Sequence, residues 1–576
     1  MKGYKLIIIF LFLSSLTYSQ KIEKVSASAK KVPQYSKISF NLKVKADFSD
    51  PFDQDDIKLD AIVFPNGRDS LIVPGFYVLG DTKNSEWKVR FAARSTGMYS
   101  AYFVLTTRSG IVKSRRVHFL VTASDGNGFL TMDKSGFFFK FNSGRKFRGI
   151  GTDFGWEARD FENQKFTYDF YFKELAANHG NFTRSWMAPN NLPLEWKKVD
   201  SKRYEDDTLR YNTSGMKRMD EVLDLAKQYG IYMMITLDFH GELKTKPNYW
   251  GSGDYWSSNL YNVANGGPCK TPADFFSNPI AKKRYKDRLR YFIARWGYST
   301  HLGVIEFWNE VDNAMADENI PPQDIVSWHQ EMSDYLKRID PYHHIMTTSI
   351  SHRTIPGLFD INNLDFAQAH IYSPKANLAE IIEGLNSKYK KPGVVGEFGY
   401  DWRGSPKPAE EGLFIKYFHL GLWRGLFSES PVLPLTWWWQ FFIKDGQLVE
   451  LKKISTFSDL ITNHSTEAIA PVTVTGDDRI EKLGLKSGQN LFVWLRNQNE
   501  NEISAVTINV DNYKVSRSIY YMIYDCEKGT FSGMKSLDRV KGSLITLEHL
   551  AAQQDIAIYF TTNKTFSGSF YDSKKK

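Results

Sequence analysis

Hydrophobic and polar positions follow three successive patterns along the chain. From residue 21 to about residue 122, apolar and polar residues alternate in short runs, as in residues 38–45 and 87–91, and turn signals such as Ser109-Gly110 separate them. Alternation with a period of two is typical of strands that bury one face. Short strands at this spacing over about 100 residues predict an immunoglobulin-like β-sandwich.

From about residue 145, apolar strand-like runs alternate with amphipathic helical segments, which indicates βα units and a parallel sheet. The predicted strands are residues 147–153, 181–187, 231–238, 304–310, 345–350, 366–372, 393–398 and 432–439. The predicted helices include residues 164–178, 279–296, 322–339, 378–389, 409–423 and 454–461, with a weak helix or a loop after the fifth strand. Eight such units predict a decorated (β/α)8 barrel of the α/β class.

After about residue 465 the strand pattern returns in residues 491–495, 504–510, 518–524 and 555–560. This predicts a second, C-terminal β-sandwich, so that sandwiches flank the barrel on both sides. The predicted segments are a signal peptide at 1–19, an N-terminal sandwich at 20–124, the barrel at 125–465 and a C-terminal sandwich at 466–576.

The first residues have the three parts of a secretory signal peptide. Lys2 and Lys5 precede an apolar run over residues 6–13, and small polar residues follow it, with a cleavage site expected near Ser19-Gln20. The apolar run is too short to form a membrane-spanning helix. We therefore expect a secreted or periplasmic protein without membrane insertion.

Composition changes this picture only in its aromatic content. Hydrophobic residues make up 42% of the chain and charged residues 24%, which is ordinary for globular proteins, but aromatic residues reach 15%. Aromatic rings fill protein cores, and they also stack on the apolar faces of sugar rings. The formal net charge is +9, part of which comes from the predicted signal peptide and from the terminal lysines 574–576, so we expect no nucleic-acid partner.

The two cysteines and the histidines do not form a metal-binding pattern. Cys269 and Cys526 lie far apart in the sequence, so a disulfide between them is possible but not favoured. The chain contains neither an H-E-x-x-H nor a C-x-x-C motif. We expect neither a metal nor another cofactor.

Candidate chemistry lies at the predicted strand ends, because active sites of such barrels form at the carboxyl ends of the strands. The fourth strand ends in Asn309-Glu310 and the seventh ends at Glu397. A carboxylate that follows a strongly hydrophobic run belongs at the barrel mouth, since its burial is costly. Two carboxylates are what glycoside hydrolysis needs, and their separation distinguishes retention from inversion.

These residues resemble the clan of (β/α)8 retaining glycosidases that includes the family-five cellulases and mannanases. In that clan the acid/base glutamate follows an asparagine at the end of strand four, and the nucleophile ends strand seven. The resemblance covers about residues 145 to 465, and it implies a retaining hydrolase of β-linked polysaccharide or oligosaccharide. The positions that match the clan are Arg184 at strand two, Asn309 and Glu310 at strand four, His370 and Tyr372 at strand six, Glu397 at strand seven and Trp437, Trp438 or Trp439 at strand eight.

Physical chemistry gives each matched residue an expected role. Arg184 is always charged and should hold Glu397 ionised. Glu310 should remain protonated beside apolar surface such as Trp308. From the resemblance, Asn309 should bind the sugar 2-hydroxyl, Tyr372 should hydrogen-bond Glu397, and His370 should position the substrate.

Several alternatives stay open at this stage. His240, after strand three, lines the cleft or is a core histidine, and Glu306 is a buried structural acid or marks a bulge in strand four. Asp153-Phe154-Gly155 resembles a kinase triplet, but it lacks the kinase context and is interpreted as the turn after strand one. A non-catalytic carbohydrate-binding protein and a transglycosylase are the competing functions, and the sugar, the linkage and the oligomeric state are not predicted.

Overall fold

The computed structural model describes residues 20–65, 69–157, 164–199, 202–247, 254–510, 519–537, 544–547 and 549–563. The predicted signal peptide at 1–19 lies outside the described residues. The chain divides into two compact units, one of Met1–Ser124 with Asp287–Tyr298 and the other of Asp125–Lys286 with Ser299–Lys576.

The N-terminal unit contains two β-sheets, with strand orders β1-β3-β7-β6 and β2-β10-β8-β4-β5, and β9 pairs with β8. Phe40 and Val89 are completely buried between polar neighbours, so the alternation predicted for residues 38–45 and 87–91 is confirmed. The strands are β1 (Lys21–Ala27), β2 (Lys31–Pro33), β3 (Lys37–Lys45), β4 (Ile57–Pro65), β5 (Leu71–Pro74), β6 (Phe76–Gly80), β7 (Ser85–Ala92), β8 (Gly97–Thr107), β9 (Gly110–Lys113) and β10 (Val117–Thr122).

A small antiparallel sheet closes one end of the barrel. It consists of β11 (Leu130–Met132), β12 (Phe139–Phe141) and β13 (Lys146–Phe147). Leu130 and Phe139 share an apolar cluster with residues near the amino ends of barrel strands, among them Phe182, Ile345 and Val394. Because apolar side chains fill this end, a polar site belongs at the opposite end, where the strands terminate.

Parallel strands form the barrel as predicted. Neighbouring strands pair in parallel throughout, and parallel bridges join Val432 to Gly149 and Thr436 to both Thr152 and Phe398, which closes the ring. The strands are β14 (Gly151–Asp153), β15 (Phe182–Trp186), β16 (Tyr232–Phe239), β17 (Leu302–Asn309), β18 (Ile345–Thr347), β19 (Ser349–Ile350), β20 (Ala367–Tyr372) and β21 (Gly393–Gly399).

The barrel helices follow the predicted periodicity closely. The bounds predicted for α4, α6 and α7 are confirmed, and turns rather than a helix follow β19. The prediction of a strand as far as Trp439 was wrong, since bridging ends at Thr436 and Trp439 begins α9. The helices are α1 (Tyr168–Ala177), α2 (Thr213–Tyr229), α3 (Asp274–Ser277), α4 (Pro279–Trp296), α5 (Val311–Asp317), α6 (Pro322–Ile339), α7 (Leu378–Tyr389), α8 (Glu411–Leu426), α9 (Trp439–Lys444) and α10 (Val449–His464).

Within the described residues, no helix combines the length and the apolar character needed to cross a membrane. The same residues include both cysteines, and the two thiols are buried and not joined to each other. The prediction that a disulfide between Cys269 and Cys526 is not favoured agrees with this.

The C-terminal segment contains two further antiparallel sheets, ordered β22-β24-β25-β31-β27-β28 and β23-β26-β30, with β29 on β27. Leu491, Val493 and Ile508 lie in their common apolar core, where strands were predicted. The strands are β22 (Ile469–Pro471), β23 (Val474–Gly476), β24 (Ile480–Ser487), β25 (Asn490–Asn497), β26 (Val506–Val510), β27 (Ile519–Asp525), β28 (Thr530–Phe531), β29 (Lys535–Leu537), β30 (Leu544–Leu547) and β31 (Asp555–Thr561).

A buried histidine joins this C-terminal segment to two barrel helices. Nδ1 of His419, on α8, lies 2.7 Å from a carboxylate oxygen of Glu450 on α10, and its Nε2 lies 3.0 Å from a carboxylate oxygen of Asp555 on β31. Burial alone would lower the pKa of His419, but the two carboxylates raise it to about 10. His419 therefore bridges the two carboxylates as a cation.

We expect the stabilisation from His419 to depend on pH. Because folding raises its pKa, the stabilisation is complete below about pH 6.5 and is lost as the pH rises toward about 10. Thermal unfolding of wild type and of His419→Gln should therefore differ most near neutral pH and converge in alkali. The exposed His118 supplies the control variant His118→Gln. A difference that does not change with pH would contradict this prediction.

Candidate active site

Arg184, in the middle of β15, is the buried centre of the candidate site. Its Nε and Nη2 donate to the two carboxylate oxygens of Glu306 at 2.5 and 2.9 Å, and its Nη1 donates to Glu397 Oε1 at 2.7 Å. Nη2 also donates to Asn309 Oδ1 at 2.7 Å. Burial would lower the pKa of Arg184, but Glu306 and Glu397 raise it, so the side chain remains a cation.

Glu306 is a buried structural acid, which decides one alternative left open by the sequence. Besides Arg184, it accepts hydrogen bonds from Thr236 Oγ1 at 2.7 Å and from Gln368 Nε2 at 2.9 Å. Burial raises its pKa, but Arg184 more than compensates and lowers it overall. Glu306 therefore remains ionised and fixes the plane of the Arg184 guanidinium.

Glu397, on β21, has a donor on each carboxylate oxygen. Arg184 Nη1 donates to Oε1, and Tyr372 Oη donates to Oε2 at 2.6 Å. We expected Arg184 to hold Glu397 ionised, but burial raises the pKa of Glu397 overall, although His370 and Arg184 act to lower it. Two donors in fixed positions leave the carboxylate little rotational freedom, which suits a group that must attack along one direction.

Glu310 joins β17 to α5 in an uncommon backbone conformation. Its φ is 48°, in the left-handed region, and its backbone N–H donates to Ser349 Oγ at 3.0 Å. Non-glycine residues in this region carry strain and cluster at functional sites. Its side chain is 14% exposed, in contrast to 4% for Glu397, and burial is the main cause that raises its pKa.

Polar groups surround the Glu310 carboxyl. Oε1 lies 2.9 Å from His370 Nδ1, Oε2 accepts from Asn313 Nδ2 at 2.8 Å, and His240 Nδ1 lies 3.7 Å from Oε2. The ring of Trp308, which we expected beside Glu310, packs against Phe275, Phe276 and Trp328. Burial among polar groups therefore accounts for the raised pKa.

His370 lies between the two carboxyl groups. Its Nδ1 is 2.9 Å from Glu310 Oε1 and 3.5 Å from Glu397 Oε1, and one atom from each of the three residues lies within 4.8 Å of the others. Burial lowers the pKa of His370 to about 4, so the imidazole is neutral at ordinary pH. These three groups could hold a cation, but the Arg184 guanidinium, 2.7 Å from Glu397, would repel it.

The remaining candidates lie around this centre. His240 Nδ1 is 3.3 Å from Asn309 Nδ2, so His240 belongs to the site. Trp438 is half-buried, donates from Nε1 to the Asp401 carbonyl at 2.7 Å and packs beside Gly399. The half-buried Trp437 belongs to an aromatic cluster that follows several barrel strands; the cluster also contains Trp156, Trp186, Phe239 and Tyr255.

Sequence reasoning missed Asp153 at the end of β14. Its carboxylate is completely buried, and Oδ1 lies 3.5 Å from Arg184 Nη1. Burial raises its pKa well above the usual value; Arg184 opposes this shift, and Glu397 adds to it. The available signal was position, because Asp153 ends strand one and is paired in register with Arg184 on strand two.

We expect Asp153→Asn to stabilise the protein increasingly between about pH 4 and neutral pH. Because burial raises the pKa of Asp153 in the folded state, the folded protein binds its proton more tightly than the unfolded chain, which ionises Asp153 above about pH 4, so wild type loses stability as the pH rises. Asparagine mimics the neutral acid and removes this loss. Calorimetric unfolding midpoints should show the gap between variant and wild type widening.

Asp133→Asn is the control of opposite sign, because hydrogen bonds from Ser135 hold the pKa of Asp133 below its usual value against the effect of burial. This variant should lose stability relative to wild type as the pH rises. A constant or shrinking gap for Asp153→Asn would show that Asp153 is ionised in the folded protein.

Comparison with known families places two matches along the chain. Residues 139–417 match the family described as cellulase (glycosyl hydrolase family 5), and residues 31–103 match a domain of unknown function, DUF5060. The first match includes the strands that carry Arg184, Glu310 and Glu397. The barrel therefore contains a glycoside hydrolase domain.

Curated relatives include mannan endo-1,4-beta-mannosidase 5 of Solanum lycopersicum, 22% identical over 304 residues, which are 44% of this chain and 70% of that protein. Mannan endo-1,4-beta-mannosidase A of Aspergillus aculeatus is 24% identical over 180 residues, 30% of this chain and 43% of the relative. Mannan endo-1,4-beta-mannosidase 1 of Oryza sativa is 22% identical over 241 residues, 34% of this chain. The chain spans about half of the rice protein, 52% of its length.

A crystal structure from Bacteroides vulgatus, of a protein provisionally described as a glycoside hydrolase, has a similar fold. It aligns with a TM-score of 0.63 and 16% identity, over 92% of this chain and all of that chain (100%). A second structure described as a glycoside hydrolase aligns with a TM-score of 0.50 and 14% identity, over 77% of this chain and 98% of the other. At these identities the likeness establishes the fold alone.

Proposed function

We propose that this chain, whose residues 139–417 resemble family-5 glycoside hydrolases, is a secreted hydrolase that cleaves β-glycosidic bonds with retention. The observation that carries the proposal is the pair Glu310 and Glu397, with carboxylate oxygens within 4.8 Å of each other. Retaining enzymes separate their carboxyl groups by about 5–5.5 Å and inverting enzymes by about 6.5–9.5 Å. Carboxylate oxygens this close favour the shorter separation, that of retaining enzymes.

In the first step, the Glu397 carboxylate attacks the anomeric carbon while the bond from that carbon to the leaving oxygen breaks. Glu310 transfers its proton to the leaving oxygen, so the aglycone departs as a neutral alcohol. In the second step, Glu310 takes a proton from water, and the resulting hydroxide attacks the anomeric carbon and releases Glu397. Two inversions at one carbon give net retention.

The buried network supports the change of role that Glu310 must make. Esterification removes the negative charge of Glu397, which lies near Glu310 and raises its pKa. Once that charge is gone, the pKa of Glu310 falls, and it can act as a base. Arg184 keeps its bidentate partner Glu306 throughout, so it remains in place while Glu397 is covalently occupied.

We assign Asn309 to binding of the sugar ring. Its Oδ1 accepts from Arg184 Nη2, which directs its Nδ2 toward the site beside His240. We assign this amide N–H to the sugar 2-hydroxyl, where a hydrogen bond strengthens in the transition state. The half-buried Trp437 and Trp438 supply aromatic faces for the sugar.

We also propose that the substrate is a β-1,4-linked mannan, because the curated relatives act on mannan. The sheets of residues 20–124 and of the segment after residue 465 are proposed to form the two flanking β-sandwiches. Export through residues 1–19 fits a polymeric substrate that lies outside the cell.

The activity of variants at Glu310 and Glu397 tests the proposed mechanism directly. We expect Glu397→Ala and Glu310→Gln each to lower kcat/KM on polysaccharide by about 10³-fold or more. Azide should restore turnover of an activated aryl glycoside, giving the α-glycosyl azide with Glu397→Ala and the β-glycosyl azide with Glu310→Ala. The exposed Glu221 supplies a matched control, Glu221→Gln. Full activity in either active-site variant, or a first-formed α-anomer in proton NMR with wild type, would overturn the mechanism.

The substrate is tested by a panel of β-mannans, glucans and xylans with reducing-end analysis. We expect cleavage of β-1,4-mannan and little release from xylan. Cleavage of a different β-glycan would overturn the mannan assignment and keep the mechanism. Binding without turnover would favour the carbohydrate-binding alternative, and transfer to added acceptor sugars in place of hydrolysis would favour the transglycosylase.

A further inference from the structure

Asn313 holds Glu310 through both its side chain and its main chain. On the first turn of α5, its Nδ2 donates to Glu310 Oε2 at 2.8 Å, and its backbone N–H donates to the Glu310 carbonyl at 2.9 Å. Glu310 is in the left-handed backbone region, where few conformations are allowed. These two contacts therefore help to hold a strained residue in one orientation.

The orientation of the Asn313 amide follows from its other partner. Arg353 Nη1 lies 2.9 Å from Asn313 Oδ1, and a guanidinium can only donate. The atom facing Arg353 must then be the amide oxygen, so the NH2 group faces Glu310. A reversed amide would place donors against Arg353 and an acceptor against the carboxylate.

The neighbouring Asp312 fixes the segment that carries Arg353. Its completely buried carboxylate accepts from the backbone N–H groups of Ser351 at 2.7 Å, His352 at 3.2 Å and Arg353 at 3.0 Å. The turn after β19 is thereby tied to the start of α5. A continuous chain of hydrogen bonds runs from this turn, through Arg353 and Asn313, to Glu310.

We infer that Asn313 is a positioning residue for Glu310. It holds Oε2 of the Glu310 carboxyl group, so that the catalytic proton lies on Oε1, the oxygen beside His370. This inference rests on the proposed function, in which Glu310 is the acid/base. Oε2 accepts a hydrogen bond from Asn313, whereas a proton on Oε1 is donated to His370 Nδ1 when the neutral imidazole carries its own proton on Nε2. Oε1 is 2.9 Å from His370 Nδ1, which also lies 3.5 Å from Glu397.

The electrostatic surroundings of Glu310 define what removal of Asn313 should change. Burial is the main cause that raises the pKa of Glu310, and the Asn313 hydrogen bond lowers it by stabilising the ionised form. The titratable or charged groups that face Glu310 are His240 after β16, Asp312 on α5, Arg184 on β15, His370 and Tyr372 on β20 and Glu397 on β21. None of them is altered by substitution of Asn313.

The test compares pH profiles of Asn313→Ala and Asn313→Asp with wild type. For Asn313→Ala we expect the basic limb of kcat/KM to move up by about 0.5–1 pH unit, because Glu310 loses a donor to its ionised form. Asn313→Asp should move it further, since it places a second carboxylate there. The acidic limb, which Glu397 sets, should stay where it is. Asn501→Ala and Asn501→Asp, at an exposed position, are the matched controls.

Leaving-group dependence separates positioning from general damage. Asn313→Ala should lower kcat/KM about tenfold on polysaccharide, whose leaving oxygen needs a proton, and less than about threefold on a dinitrophenyl glycoside, whose leaving group does not. Arg353→Gln keeps Asn313 but removes one of the two donors to its Oδ1, since Ser351 Oγ also donates to that oxygen at 3.1 Å, and it should show a smaller loss of the same kind. Equal losses on both substrates would overturn the inference.

A measurement that needs no catalysis, the titration of Glu310 itself, separates a failure of this inference from a failure of the proposed function. The Glu310 carboxyl can be titrated by carbon-13 NMR in protein labelled at glutamate, with Glu310→Gln assigning its signal. A higher pKa in Asn313→Ala supports the inference, and an unchanged pKa overturns it. Failure of the proposed function would instead appear as wild type that cleaves no glycan, or as full activity in Glu310→Gln.

Discussion

The site depends on one buried cation, Arg184, which no solvent screens. Its guanidinium reaches Glu306 on β17 and Glu397 on β21, with Asp153 on β14 close by. Burying a charge is costly unless the charge is paired and its hydrogen bonds are satisfied. Removing one partner of a buried ion pair therefore destabilises a protein much more than replacing the whole pair by apolar residues. Removal of Glu306 or Glu397 would leave an uncompensated charge in the barrel, so strand register and the positions of these two carboxylates are coupled.

This network makes the two proposed catalytic carboxyl groups, Glu310 and Glu397, unequal. Glu397 is nearly inaccessible and is held on both oxygens by Arg184 and Tyr372, as a nucleophile requires. Glu310 is more exposed and is held by neutral side chains, among them Asn313 on α5 and His370 on β20. One group is thus fixed by charge and the other by neutral hydrogen bonds, so their pKa values can differ although the groups are close.

Much of the fold was predictable because its signals are local. The helical period in α4, α6 and α7 gave their bounds, and apolar runs located the parallel strands. Strand eight was harder, since its apolar run continues through three tryptophans while hydrogen-bonded pairing ends at Thr436. An aromatic run has no period that separates a strand from the start of α9.

By itself, the sequence determined which strands hold the candidate residues, because Glu310 and Glu397 each follow an apolar run and Arg184 precedes them in barrel order. Only the tertiary structure decided which side chains those groups contact and at what distances. The short distance between the carboxylates, the pairing of Glu306 with Arg184 and the hold of Asn313 on Glu310 all depend on strand register and rotamer. Sequence spacing encodes period and order along a chain, whereas a contact between residues on different strands exists only after the barrel has closed.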